Sequence, residues 1–115
     1  MKPTALLDLD GYPTTEFLDF LRNYNPSGFP IMEFLEILGE VWCMSGWGYR
    51  LHKKYKGARK LELYTGGWSV NEEIINALLS NKLLFISMDN DKTTIRYTKW
   101  VVGGHYYFEI RQLKP

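Results

Sequence analysis

Two histidines are the side chains in this chain best suited to proton transfer. His52 or His105 could form an acid–base pair with a carboxylate such as Glu62 or Glu109. No G-x-S-x-G nucleophile turn occurs, and the single Cys43 lies in an apolar stretch where a thiol is usually inert. A small hydrolase using His105 and Glu109 is therefore one hypothesis, and a binding protein with no catalytic residue, metal or cofactor is preferred to it.

A glycine pair followed by a helix start offers a second kind of site, one for anions. Ser69 lies three residues before Glu72, which is the spacing of a capping box. Backbone amides at such a strand-to-helix turn can hold a phosphate or carboxylate. No lysine follows the glycines and no third glycine is present, so the turn is neither a P-loop nor a dinucleotide fingerprint. The turn is predicted to be either a structural corner or a ligand site made of Thr65, Gly66, Gly67, Trp68 and Ser69.

The last hairpin could supply a second wall for that ligand site. Gly103-Gly104 suits a two-residue primed turn between strands over residues 93–102 and 105–111. That register puts Ile95, Tyr97, Val101, Tyr106, Phe108 and Ile110 on a core face, with Lys99 as an exception. The other face is predicted to bind the ligand through Arg96, Trp100, His105, Tyr107, Glu109 and Arg111. The same residue types would also be expected if a helix packed on this face. A ligand-binding face and a face covered by a helix are therefore both possible interpretations.

A basic segment supplies the alternative of nucleic-acid binding. Residues 47–60 contain six cations and no acid: Arg50, Lys53, Lys54, Lys56, Arg59 and Lys60. A hairpin turning at Lys56-Gly57 would place Lys53 opposite Lys60, an unfavourable pair of like charges that suggests an anionic partner. Cations interleaved with the rings of Trp47, Tyr49, Tyr55 and Tyr64 are typical of contacts with phosphates and bases.

The pattern of apolar residues predicts one α+β domain over residues 1–115, in the order α-α-β-β-α-β-β-β. Helices are expected from Thr14 or Thr15, over Ile31–Met44 and over Ser69–Ser80. About five mainly antiparallel strands are expected, at 47–54, 59–65, 83–88, 93–102 and 105–111. The second helix is apolar enough to suggest a homodimer. No secretory signal, membrane span or disulfide is apparent, which indicates a cytoplasmic protein.

Two motifs resemble a group of small uncharacterised bacteriophage and prophage proteins. These are T-G-G-W-S-V-N-E-E-I-I at residues 65–75 and G-G-H-Y-Y-F-E-I at residues 103–110. The resemblance covers mainly the second half of the chain. It implies a phage or prophage origin, the cytoplasm of a bacterial host, and a non-enzymatic binding module. Such a module would bind a host protein, for example a defence component, or sequester a small anionic ligand.

Overall fold

The computed structural model describes residues 3, 5–26, 28–53, 55, 57–82 and 94–111. Within them lie four helices: α1 (Thr15–Arg22), α2 (Ile31–Val41), α3 (Ser45–Gly48) and α4 (Ser69–Leu79). The same residues form four strands: β1 (Tyr49–Leu51), β2 (Ala58–Tyr64), β3 (Thr94–Val101) and β4 (His105–Arg111).

The strands form one antiparallel sheet in the order β1-β2-β4-β3. The last strand of the chain therefore lies inside the sheet, between β2 and β3. This arrangement confirms the predicted α+β class and the antiparallel sheet. Both β2 and β4 therefore have a neighbouring strand on each side.

One face of the sheet is buried under the helices. Its buried side chains are Leu61, Leu63, Ile95, Phe108 and Ile110, and they share one core with residues of α1, α2 and α4. Burying each large apolar side chain contributes about 1.5–3 kcal/mol. The opposite face, which we call the outer face, contributes no residue to this core. Within the described residues, helices therefore cover one side of the sheet only.

Local sequence explains where the first two helices begin. The hydroxyl of Thr14 accepts a hydrogen bond from the Phe17 amide and caps α1, as predicted. Pro30 is the N-cap of α2, as its fixed backbone angle favours. The apolar residues of α2 are mostly buried within this one chain: Ile31, Phe34, Leu35, Ile37, Leu38 and Val41. The homodimer through α2 stays a prediction, and no large apolar face of that helix is left to support it.

The register of the last hairpin differs from the prediction. Val101 lies opposite His105, so three residues and not two form the turn. The pairing also shifts at Thr98, where β3 has a bulge. Before the bulge the predicted faces are correct, but beyond it Lys99 lies opposite Tyr107 on the outer face. The bulge thereby explains why Lys99 did not fit the predicted core face.

The predicted element order is wrong in two further places. The described residues form four strands and not five, and the strand expected over Leu83–Met88 lies outside the described residues. Trp47 was expected in a strand but lies in the short helix α3. Met44, with φ of 61°, takes the left-handed conformation immediately before α3 and redirects the chain.

In the first hairpin Tyr55 pairs with Ala58, as the predicted turn requires, but the strands further from the turn pair differently from the prediction. Arg50 lies opposite Glu62, and the amide of His52 donates to the carbonyl of Lys60. The expected pair of like charges, Lys53 with Lys60, is therefore wrong. Unlike charges face each other instead, which is the favourable arrangement across a ladder.

A buried amide joins α2, the corner at residues 65–69 and α4. Asn71 is fully buried; its amide oxygen accepts from the backbone N–H of Cys43 at 2.8 Å. Its amide nitrogen donates to the carbonyls of Cys43, at 2.9 Å, and Thr65, at 3.3 Å. One side chain thus pairs with both backbone groups of Cys43 just after α2, and it adds a second hydrogen bond to the Thr65 carbonyl before α4.

We expect Asn71→Ala to lower the free energy of unfolding by about 3 kcal/mol, because it leaves buried backbone groups without partners. Asn76→Ala is the matched control, since Asn76 is exposed on the same helix and its change should stay within about 0.5 kcal/mol. Urea unfolding followed by circular dichroism measures both. Equal stability of the two variants would contradict a structural role for Asn71.

Candidate functional site

The outer face of the sheet combines rings with charges. The pairing of the strands places there Arg50, Lys60, Glu62, Tyr64, Arg96, Lys99, Val101, His105, Tyr107, Glu109 and Arg111. This set has five cations, two carboxylates and three rings. A face of this kind, open and rich in both stacking and hydrogen-bonding groups, is suited to holding a polar ligand with planar parts.

Three rings form a column at one end of this face. The ring centroids of Trp47 and Tyr64 are 4.5 Å apart, and those of Tyr64 and His105 are 4.1 Å apart with nearly parallel planes. Trp47 reaches this position from α3 by lying against Gly66. A Cβ atom at Gly66 would come within 2.7 Å of the Trp47 ring, so a glycine there permits the contact.

A depression of about 250 Å³ lies beside the ring column. The polar and aromatic side chains that line it are Trp47, Arg50, Glu62, Tyr64, His105 and Tyr107. A second depression, of about 390 Å³, lies further along the sheet and is lined in part by His52, Lys53, Tyr55, Lys60 and Glu109. The outer face therefore has two adjoining places where a ligand can lie below the general surface.

Glu62 supplies a negative charge in the lining of the first depression. Burial acts to raise the pKa of its carboxyl, but the hydrogen bond with His52 Nε2 and the positive charges of Lys60 and Arg50 lower it. The net result is a Glu62 pKa below its ordinary value. Glu62 is thus ionised at neutral pH and can accept hydrogen bonds from a ligand.

Tyr107 lies at the centre of the outer face with cations above it. Lys99 Nζ is 4.9 Å from the ring centroid, and Lys60 Nζ is 5.9 Å from it. Both distances are in the range of cation–π attraction. The two lysines come from the strands on either side of β4, so they hold positive charge over the middle of the sheet.

The second carboxylate, Glu109, is paired with arginines. Its Oε1 lies 3.8 Å from Arg96 and 3.4 Å from Arg111. Exposed ion pairs of this kind contribute little to stability, but they offset the charge that Glu109 would present to an anion. His105 and Glu109 lie four residues apart on β4, about 13 Å at strand spacing. The acid–base pair of the hydrolase hypothesis is therefore not assembled from these two residues.

The corner at residues 65–69 is joined to the last hairpin, as the ligand-site hypothesis requires. The backbone N–H of Thr65 donates to the carbonyl of Gly104 at 3.0 Å, and a Cβ at Gly104 would lie 2.4 Å from Thr65 Oγ1. Thr65 is only 1% exposed, and its carbonyl accepts from Trp68 and Asn71. Thr65 is therefore buried, and its backbone groups are already hydrogen-bonded within the fold, so it does not contact a ligand.

The predicted capping role of Ser69 is wrong. Trp68 is the N-cap of α4 and makes no side-chain capping bond. Ser69 is the first helical residue, and its hydroxyl lies 3.0 Å from the hydroxyl of Tyr12. The corner thus gains its order from Asn71 and from the contact with Gly104, and the hydroxyl of Ser69 ties it to the N-terminal segment.

The predicted ligand residues separate into two groups. His105, Tyr107, Glu109, Arg111 and Arg96 lie on the outer face as expected. Trp100 does not join them, because beyond the bulge it lies opposite Tyr106 and not Tyr107.

Of the basic hairpin, Arg50 and Lys60 are on the outer face, Lys53 and Arg59 help line the second depression, and Lys54 and Lys56 lie outside the described residues.

Several residues of the site escaped the sequence prediction. Glu62, Tyr64 and Lys99 were not assigned to one surface with Tyr107, because strand alternation alone does not tell which strands are neighbours. The order β1-β2-β4-β3 brings them together. Lys99 was the one sign in the sequence that the predicted faces were not fully correct, because its charge did not fit the predicted core face.

Among the described residues, no three His, Cys, Asp or Glu side chains are grouped in a way that could hold a metal ion. Over the same residues, no helix has both the length and the apolar character needed to cross a membrane.

Comparisons of the chain with protein-family models, with curated proteins and with solved structures gave no match. The geometry of the outer face therefore carries the functional argument.

We expect the stabilising effect of Glu62 to depend on pH. Since its pKa is lowered in the folded state, Glu62 contributes stability above the ordinary glutamate value of about 4.3, and loses it as the pH falls through the folded-state pKa. Glu62→Gln should therefore be less stable than the unmodified protein at pH 7, and the difference should shrink in acid. Thermal unfolding at several pH values measures this. A difference that is constant from pH 7 to pH 2 would contradict the lowered pKa of Glu62 in the folded protein.

Proposed function

We propose that the protein is a non-enzymatic binding module that holds an anionic ligand with a planar ring on the outer face of its sheet. The observation that carries the proposal is the depression beside the column of Trp47, Tyr64 and His105. Rings provide its wall, Arg50 provides a positive charge at its border, and Glu62 provides an acceptor. This is the chemistry that would recognise a heterocycle attached to a phosphate.

The charges of the outer face support an anionic ligand over a neutral one. Five cations stand against two carboxylates, and each carboxylate already contacts a cationic or imidazole group. The outer face therefore carries a net positive charge. Arg50 is well placed for a phosphate because its guanidinium can donate two parallel hydrogen bonds.

The absence of an assembled nucleophile supports binding over catalysis. In the residues that line the first depression, no serine, threonine or cysteine hydroxyl or thiol contacts His105, whose ring instead stacks on Tyr64. His52 is held by Glu62. Sequestration of a small anionic ligand therefore fits the lining of the depression better than hydrolysis of one.

A host protein is the second candidate partner, in keeping with the phage-type resemblance. Large apolar side chains are exposed near the end of the sheet that carries the corner: Met44, Trp47, Trp68, Trp100, Val101 and Val102. Exposed aromatic side chains grouped in this way are typical of protein–protein contacts. One of these residues, Trp47, also lines the first depression. A protein partner and an anionic ligand would therefore compete for the same surface.

We expect a nucleoside monophosphate to raise the melting temperature by about 5 °C when its concentration is ten times its dissociation constant. Adenosine, guanosine, cytidine and uridine monophosphates are the probes, and Arg50→Ala should abolish the shift. Lys82→Ala is the matched control, because Lys82 is an exposed cation outside both depressions of the outer face.

No shift with any of the four nucleotides at millimolar concentration would contradict the anionic-ligand proposal and leave the host protein as the favoured partner. An equal loss in the Arg50 and Lys82 variants would show that the effect is not located at the first depression.

A further inference from the structure

We propose that the natural ligand of the outer face is a stretch of single-stranded nucleic acid that lies across both depressions. This inference rests on the proposed function and deepens it, since it names the ligand class for the same surface. It differs from the sequence-based hypothesis, which placed nucleic acid on the basic hairpin alone.

The size and placement of the two depressions favour a ligand longer than one nucleotide. The first is bordered by Glu62 and Tyr107, and the second by Lys60 and Glu109, which are the next outward-facing residues along β2 and β4. Residues two apart on a strand are separated by about 7 Å. The depressions are therefore neighbours on the sheet, and a single nucleotide in the first would leave the larger second one empty.

The rings are spaced so that successive bases can stack. His105 ends the column that begins at Trp47, and Tyr107 follows His105 by two residues on the same face of β4. Tyr55, at the border of the second depression, is 72% exposed. In other proteins, four-stranded sheets with aromatic side chains on one open face stack two or three unpaired bases.

The positive charges are placed where a phosphate backbone would pass. Lys60 and Lys99 flank Tyr107 from the two neighbouring strands, and Arg50 lies at the edge of the first depression. Glu62 and Glu109 can accept hydrogen bonds from base amino groups, while Arg96 and Arg111 offset the charge of Glu109 and His52 forms a hydrogen bond with Glu62. Stacking on rings requires unpaired bases, so a duplex would not satisfy this face.

The test is fluorescence anisotropy with a labelled ten-nucleotide DNA strand of mixed sequence, and with the same sequence as RNA. If three cations neutralise phosphates, the logarithm of the affinity should fall with the logarithm of salt with a slope of about −2. The affinity should then be about 20-fold weaker at 200 mM than at 50 mM salt.

Two variants and one control locate the contact. Tyr107→Ala should weaken binding about 10-fold through lost stacking. Lys99→Gln should reduce the salt slope by about 0.7 and leave the fold unaffected, because Lys99 is exposed. Lys82→Gln should bind as the unmodified protein does. Melting temperatures of all variants identify any that lose binding by unfolding, and Lys99→Gln keeps the test valid if Tyr107→Ala unfolds.

Four results would overturn the inference. Equal affinity for a mononucleotide and for the ten-nucleotide strand would leave the proposed function standing without the single-strand ligand. Equal or tighter binding of the matching duplex would exclude stacking on unpaired bases. Binding that survives Tyr107→Ala and Lys99→Gln but is lost in Lys53→Glu would assign it to the hairpin. Failure of both nucleotides and strands to bind would overturn the proposed function as well.

Discussion

The buried amide of Asn71 is the interaction on which the rest of the structure depends. It pairs with both backbone groups of Cys43 and with the carbonyl of Thr65, so it fixes the end of α2 against the start of α4. The same corner is held from the other side by Thr65 and Gly104. A buried amide that lacks one of its hydrogen-bond partners lowers the stability of the fold. The corner is therefore held in the one geometry that satisfies all the hydrogen bonds of Asn71.

Tyr64 connects this corner to the outer face of the sheet. The indole N–H of Trp42 donates to the Tyr64 carbonyl at 3.2 Å, one residue before the corner. Tyr64 is thereby fixed in position, and its ring is the middle member of the column with Trp47 and His105. Helix packing on the buried side of the sheet and ring stacking on the open side are thus joined at one strand end.

Local patterns in the sequence were sufficient for the three longer helices and for the fold class, but not for the short helix α3. The spacing of apolar residues and the Thr14 cap located α1, and the apolar run after Pro30 located α2. The predicted helix over residues 69–80 is found as α4, and only its cap is wrong, because the hydroxyl of Ser69 contacts Tyr12 and Trp68 is the N-cap. Capping patterns describe isolated helices, and here a tertiary contact replaced the local one.

The candidate site could be predicted only in part, since its assembly depends on strand order and on the bulge at Thr98. Alternation along β4 placed His105 and Tyr107 on one face, and that prediction was confirmed. Neither the central position of β4 nor the shift that exposes Lys99 beside Tyr107 has a local sequence signal. Nonlocal pairing determines both, so single-sequence patterns found the rings but not the surface they share.

The central claim is that the outer face, and no other surface, binds the ligand. Backbone amide shifts of the ¹⁵N-labelled protein, recorded by NMR during titration with the ten-nucleotide strand, test it most directly. We expect the largest changes at Arg50, Glu62, Tyr64, His105 and Tyr107, with α1 and α2 unaffected. Changes confined to the helices, or to residues 52–57 of the hairpin, would contradict it.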